Sequence, residues 1–235
     1  MQQIQYIDWG LIDYKEAWEQ QEQLMQNIIA IKMHNRNLEN AAHEILPHKF
    51  IMCEHPHVYT LGKSGSEKNL LRTTDELEKI DASFYKINRG GDITYHGPGQ
   101  LVGYPILDLD CFFNDIHKYM RCLEEVIILT LKNYNIIGTR IAGLTGVWLQ
   151  AGGGKPERKI CAMGVRLSRW VTMHGFALNA NNDLSYFNNI IPCGIDDKAV
   201  TSIMEETGES VDIEKLKKQI LQNFANVFEA EITLA

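Results

Sequence analysis

The sequence has no uninterrupted apolar run near the ~18 residues that a membrane-spanning helix needs, which excludes that class of membrane protein. It has no surplus of positive charge. Lys plus Arg number 23 against 30 Asp plus Glu, for a net charge of −7. That balance excludes a general nucleic-acid binder, whose affinity comes from a basic footprint. Its five cysteines are odd in number and include no Cys-x-x-Cys pair. Neither a disulfide framework nor the usual zinc spacings can be built from them. The thiols are expected to be reduced, in a cytoplasmic protein that holds no structural metal. The opening MQQIQYIDWG lacks a basic n-region and an apolar h-region, so no secretory leader is expected there. Repeats, low-complexity tracts and Pro/Ser-rich linkers are also missing, which points to one domain over residues 1–235. What is present is ordinary for a globular chain: 45% hydrophobic and 23% charged residues.

Hydrophobic spacing predicts a helix over 13–34, with Asp13 as its cap and Ala17, Trp18, Gln21, Met25, Ile28, Ile29 and Lys32 on one stripe. A second helix is expected over 115–134, ending near Gly138, and a last one over about 212–229. Strands are expected at 50–53, 84–88, 101–107 (with Pro105 at an edge or end), 147–150, Lys159 to Leu167, and 171–178. Residues 183–200 read as turn-rich and irregular. Strands and helices mix without βαβ alternation, so the fold class is α+β, a mixed sheet flanked by helices.

Four features bear on chemistry. Arg89-Gly90-Gly91-Asp92-Ile93-Thr94-Tyr95-His96-Gly97-Pro98-Gly99-Gln100 combines close-approach glycines with polar side chains, which suits a binding loop. Gly62-Lys63-Ser64 and Gly152-Gly153-Gly154-Lys155 fail the phosphate-loop pattern and read as ordinary turns. His55 and His57 read as polar residues at a strand end. Cys53 and Cys122 read as small buried hydrophobes. Cys161 lies two residues from Lys159, and simple alternation puts both on one face. Cys193 stands apart, in the turn Ile191-Pro192-Cys193-Gly194, where a thiol can be presented to a substrate. A free thiol is only a few per cent ionised at neutral pH, so it needs a nearby base or cation. Lys159, His96 and His174 are the candidates.

Three segments in order, RGGDITYHGPGQLVGYPILDL (89–109), KICAMGVRLSRWVTMHGFALNANNDLSYF (159–187) and IIPCGIDDKAVTSI (190–203), resemble the lipoyl(octanoyl) transferases. EHPHVYTLGKSG (54–65) is a weaker match. The resemblance covers most of residues 1–205. It implies the biotin/lipoate protein ligase-like fold. It also implies transfer of an octanoyl group from acyl carrier protein to a lysine of a lipoyl domain. By that resemblance Cys193 holds the acyl group as a thioester and Lys159 assists. Binding segments carry over onto Arg89 through His96 (Arg89, Gly90, Gly91, Asp92, Ile93, Thr94, Tyr95, His96), onto Ala162, Met163 and Gly164, and onto Gly175, Phe176 and Ala177. Asp92, Cys161 and Met173 depart from the residues usual there, and Cys161 adds a second thiol near the site.

The implied partners are octanoyl-acyl carrier protein as donor, and as acceptors the lipoyl domains of 2-oxoacid dehydrogenase complexes and the glycine cleavage H protein. No cofactor is expected, no nucleic acid and no membrane, and the chain is expected to be a monomer. Tyr95, Met163 and Phe176 are candidates to line an acyl slot, and His96 to donate to an oxyanion. Residues 155–169 carry five basic side chains against Glu157, a local excess that suggests a docking face for acidic partners. An ATP-dependent ligase of the same fold, a non-catalytic acyl-binding module and a thiol hydrolase are the competing readings.

Overall fold

In the computed structural model, residues 1–39, 42–191 and 199–234 are described. The strand Phe-Ile-Met-Cys explains the architecture. Phe50 and Met52 enter one apolar core while Ile51 and Cys53 enter another. A strand that alternates between two cores must lie in a sheet covered on both faces, and reads as a continuous apolar run.

That strand is β2 (Lys49–Glu54). Around it lie β1 (Gln2–Leu11), β6 (Gln100–Ile106), β7 (Val147–Leu149), β8 (Arg158–Ser168), β9 (Val171–Asn179), β10 (Ala199–Val200) and β11 (Ala230–Leu234). The main sheet runs β10-β8-β9-β6-β2-β1-β11, with β7 also on β8. β1 is parallel to β2 and β11, and β10 to β8, while the other pairs are antiparallel. A second sheet, β4-β3-β5, comprises β3 (Val58–Leu61), β4 (Ser83–Lys86) and β5 (Ile93–His96).

Helix α1 (Tyr14–Asn35) starts where expected, and the Asp13 carboxylate accepts from the backbone N–H of Lys15 and Glu16. Its Met25, Ile28 and Ile29 cover one face of the main sheet. Helices α3 (Ile116–Lys132) and α5 (Ile213–Phe228) cover the other through Leu123, Ile127, Leu131, Leu216, Ile220 and Phe224. Two short helices, α2 (Thr74–Glu78) and α4 (Ile203–Thr207), complete the set. None of the helices described is long and apolar enough to cross a membrane.

Several local expectations need correction. α3 stops at Lys132, not near Gly138. Asn135 takes the left-handed conformation, which asparagine tolerates. β6 is central, so of the two alternatives for Pro105 the strand end holds and the edge does not: Pro105 is the residue before the last, Ile106. Pro105 lies beyond the last β6–β9 pair, Gly103 with Phe176, so its missing N–H removes no bond there. β1 and β11 were not anticipated. β1 is glutamine-rich with a weak apolar alternation, and β11 follows α5 directly. Residues 183–200 are not wholly irregular: Leu184–Asn189 forms a 3-10 turn and β10 follows further on.

Candidate active site

The two sheets face each other across a cavity of about 980 Å³ of atom-free space, its open mouth included. One wall is the main sheet. There Ala162 pairs with Ala177 and Gly164 with Gly175 across β8 and β9. The two alanines leave room on the wall, while the two glycines admit neighbouring backbone: a side chain at Gly164 would come within 2.8 Å of the Gly90 oxygen, and one at Gly175 within 2.1 Å of the Gly103 oxygen. The opposite wall comes from β5 and the loop before it, through Arg89, Gly91, Asp92, Ile93, Thr94 and His96. Tyr14 and Tyr104 close one side, and Trp148, Lys159 and Val200 stand at another part of the wall.

The loop at 89–92 is held from two directions. The N–H groups of Lys63 and Ser64 donate to the carbonyls of Arg89 and Gly91 at 3.0 and 3.3 Å. The N–H of Gly90 donates to the Val165 carbonyl on β8 at 3.0 Å. A side chain at Gly62 would come within 2.3 Å of the Gly91 oxygen, so that approach requires glycine. The turn Gly62-Lys63-Ser64, unremarkable as sequence, is therefore the seat of the loop at 89–92. Asp92 accepts from Asn69 Nδ2 at 2.6 Å and from its neighbour's N–H, tying the loops together. Arg89 is 8% exposed and donates to the Thr60 carbonyl and hydroxyl.

Of the segments singled out from sequence, Arg89, Gly91, Asp92, Ile93, Thr94, His96, Lys159, Ala162, Met163, Gly164, Gly175, Phe176 and Ala177 reach the cavity wall. Gly90 serves through its backbone. Tyr95 does not line the cavity. It is buried beneath β5, stacked on Tyr186 and bonded to His57 Nδ1 through its hydroxyl at 2.7 Å. β-strand alternation sends it away from the face that carries Thr94 and His96. Tyr14, Val102, Tyr104, Trp148, His174, Asn179, Phe187, Ala199 and Val200 also line the cavity and were not anticipated as lining. Seven of the nine lie within the three segments that carry the resemblance, at positions not singled out there; Tyr14 and Trp148 lie outside them. Cys193 lies outside the described residues. On its flanks the Ile191 N–H donates to the Asn69 carbonyl, and β10 pairs in parallel with Arg158 and Lys159.

Lys159 reaches the wall through a β-bulge. Val147 pairs with Cys161 and Trp148 with Lys159, so one step on β7 spans two on β8 and Ile160 is the extra residue. Ile160 and Cys161 both turn into the core, while Lys159 and Ala162 line the cavity. The Lys159 ammonium lies over the Trp148 ring, 4.6 Å from its centroid. Cys161 is fully buried, and burial pushes its thiol pKa up, so it is not a second reactive thiol at the site.

The cavity's histidines are neutral. Burial pushes His96 and His174 each down to about 3, with like charge from neighbouring groups adding to it. Gln100 Nε2 donates to the Tyr95 carbonyl and to Asn179 Oδ1, which leaves its Oε1 to accept from His96 Nδ1 at 2.8 Å. The lone pair of His96 is then on Nε2, so His96 accepts at that atom and is no oxyanion donor. His174 sits at φ +61° within β9, with its N–H bonded to Gln21 Oε1. Strain of this kind persists where the surroundings over-determine it, often at functional sites. His55 and His57 do not act together: His55 is bonded to the Ile12 carbonyl and the Tyr104 hydroxyl, while His57 stacks on Tyr186. Among the described residues no group of three or more His, Cys, Asp or Glu could hold a metal ion.

The basic segment does not form a free positive face. Arg158 makes a two-pronged pair with Glu206 at 2.7 and 2.8 Å, and Lys155 adds a third contact at 3.4 Å. Arg166 is paired with Glu22. Lys155 and Arg169 are the exposed members of this group.

A mixed sheet covered by helices in this arrangement is the fold of the lipoate and biotin protein ligases. The structure superposes on a bipartite lipoate protein ligase of Thermoplasma acidophilum with a TM-score of 0.68 at 14% identity, covering 100% of this chain and 86% of that one. It superposes on biotin protein ligase from Aquifex aeolicus in complex with biotin and ATP with a TM-score of 0.52, also at 14% identity, covering 97% and 71%. At these identities the likeness is one of fold. In sequence, residues 13–225 match the family described as lipoyl protein ligase A/B catalytic domain. The octanoyltransferase of Flavobacterium psychrophilum is 62% identical over 231 residues, which cover 97% of this chain and 98% of that protein. The chain belongs to the lipoyl protein ligase A/B catalytic family, and it is an acyltransferase.

Proposed function

We propose that this acyltransferase moves an octanoyl group from acyl carrier protein to one lysine of a lipoyl domain, through a thioester on Cys193. The observation that carries this reading is the slot of Ala162, Gly164, Gly175 and Ala177, with Lys159 on the same cavity wall. Lys159 to Gly164 is five strand residues, about 15 Å. An extended octanoyl chain spans ~8–9 Å, since three carbon–carbon bonds reach about as far as one extended residue. This stretch of cavity wall is long enough for the chain with its carbonyl near Lys159. The 62% identity to an octanoyltransferase supports the same acyl group.

In this reading Lys159 takes the Cys193 thiol proton, and the thiolate attacks the carrier thioester carbonyl. The carrier thiolate leaves and takes the proton from Lys159. The acceptor lysine amine then attacks the Cys193 thioester, Cys193 leaves as thiolate, and the amine's proton passes to Lys159. Thioester exchange is nearly isoenergetic and amide formation is downhill, so no ATP is consumed and no cofactor is used. Oxyanion donors are backbone N–H groups beside the glycines, not His96. The acceptors are lipoyl domains of 2-oxoacid dehydrogenase complexes and the glycine cleavage H protein. Residues 1–235 act as one catalytic domain, as a monomer in the cytoplasm.

The test is intact mass after mixing the protein with octanoyl-acyl carrier protein without ATP, beside Cys193→Ala. The expected result is a hydroxylamine-labile gain of one octanoyl group, absent in the variant and discharged by a lipoyl domain. Transfer that appears only with ATP and free octanoate would establish a ligase instead. No adduct and no transfer under either condition would leave an acyl-binding module.

A further inference from the structure

We propose that Trp148 is a positioning residue for Lys159, holding its ammonium by the face of the indole ring. This rests on the role given to Lys159 above. Three observations place the ring. Trp148 and Lys159 are direct cross-strand partners on β7 and β8, so their side chains share a face. The Lys159 Nζ lies 4.6 Å from the ring centroid, within the range of a cation–π contact. The Trp148 backbone is fixed on its other edge as well: its N–H donates to the Thr139 carbonyl at 2.9 Å, and the Thr139 N–H donates to its carbonyl at 2.7 Å. A ring only 3% exposed on a strand clamped from both sides is a rigid platform.

The bulge at Ile160 gives the platform its purpose. Without that extra residue, alternation would set Lys159 on the face that Cys161 takes, in the core. The bulge turns Lys159 to the cavity, and Trp148 meets it there. A lysine side chain has four rotatable carbons and no fixed geometry of its own, so it needs such a surface to deliver its nitrogen to one place. The quadrupole of the ring also favours the protonated amine. That is the state Lys159 holds after it accepts the thiol proton, so the ring stabilises the thiolate–ammonium pair that attacks the acyl donor. The proton moves from sulfur to nitrogen and returns to the leaving carrier thiolate, and the ring itself exchanges nothing.

The test separates electrostatics from packing. Site-specific replacement of Trp148 by mono-, di- and trifluorotryptophan keeps the ring's shape while draining charge from its face. The readout is the single-turnover rate of octanoyl-adduct formation, followed by mass, with the KM for octanoyl-acyl carrier protein measured beside it. The expected result is a stepwise fall in rate to about one tenth at trifluorotryptophan, with KM unchanged within about twofold. Trp148→Phe should retain part of the rate and Trp148→Leu less, at matched Tm. A rate that is flat across the fluorine series overturns the proposal. So does a fall in which Phe and Leu are equal. Failure of the unsubstituted protein to form any adduct would instead overturn the function proposed for Lys159 and Cys193.

Discussion

Lys159 and Cys161 are two residues apart on one strand, yet Lys159 lines the cavity and Cys161 is sealed in the core. The bulge at Ile160 separates them. Cys161 should therefore be silent in catalysis. Cys161→Ala is expected to keep octanoyl transfer within about twofold and to cost about 1 kcal/mol of stability for the lost packing. In the folded protein Cys161 should resist alkylation by iodoacetamide and react only on unfolding. Peptide mapping after timed alkylation checks this, and rapid native labelling of Cys161 would contradict the buried placement.

Acid stability should be set first by buried histidines. His96 and His174 are pushed down to about 3 and His55 to about 4, in each case first by burial. In the unfolded chain each titrates near 6.5. Below that value the unfolded state binds protons that the folded state refuses, so stability falls as pH falls. The contribution is complete above about pH 6.5 and is lost between there and about pH 3. At pH 5 the loss amounts to at most about 2 kcal/mol per histidine. Urea midpoints at pH 7, 6 and 5 test it. A midpoint constant from 7 to 5 would show that these histidines accept protons in the folded state.

The slot should measure acyl length. Ala177 pairs with Ala162 across the strands and leaves the slot open. Ala177→Leu fills it, at a packing cost of about 1–3 kcal/mol. The expected outcome is a loss of at least about tenfold in kcat/KM for octanoyl donors, and a smaller loss for butanoyl donors. A carrier-protein series from butanoyl to octanoyl, read by mass, decides it. A uniform loss across the series would mean that the chain does not lie along β9.

Glu206 is a charge with a structural duty. Its carboxyl is held down to about 2, chiefly by hydrogen bonds from Arg158, and both side chains are nearly buried, at 11% and 12% exposure. A carboxylate depressed in the fold adds stability above its ordinary value of about 4.5. That stability is lost as pH falls towards 2. Glu206→Gln should cost about 2–3 kcal/mol at pH 7 and little at pH 2, because Arg158 is left without its counter-charge. Thermal melts at the two pH values measure the difference. Because Arg158 is already paired with Glu206, reversing Arg158 should also weaken the fold. It is therefore a poor probe of partner docking.

Long periodic elements were legible because each carries its own signal. α1 could be read from its stripe and from Asp13, α5 from its spacing, and β8 and β9 from their strand-like runs. Gln21 and Lys32, expected on the buried stripe of α1, are buried as read. β1 and β11 were not legible. Their apolar content is low, and their pairing joins opposite ends of the chain. The R-G-G segment was legible as a loop with unusual composition, but its seat on Gly62-Lys63-Ser64 was not. Nothing in that turn marks it except a glycine whose neighbour is distant in sequence.

The sequence by itself determined the family and the chemical vocabulary: the glycine-rich loop, the lysine and cysteine motifs, and the lack of any pattern for a phosphate loop or a metal. These are local facts, carried by residue type and spacing. Tertiary structure alone decided which side chains share a space. One bulge turns Lys159 outward and Cys161 inward. Burial makes His96 a neutral acceptor. Strand alternation sends Tyr95 beneath the second sheet, and two acids from other elements pair with three of the five basic side chains of the segment 155–169. Each of these depends on register, burial or a partner far along the chain, and such quantities come into being only when the elements pack.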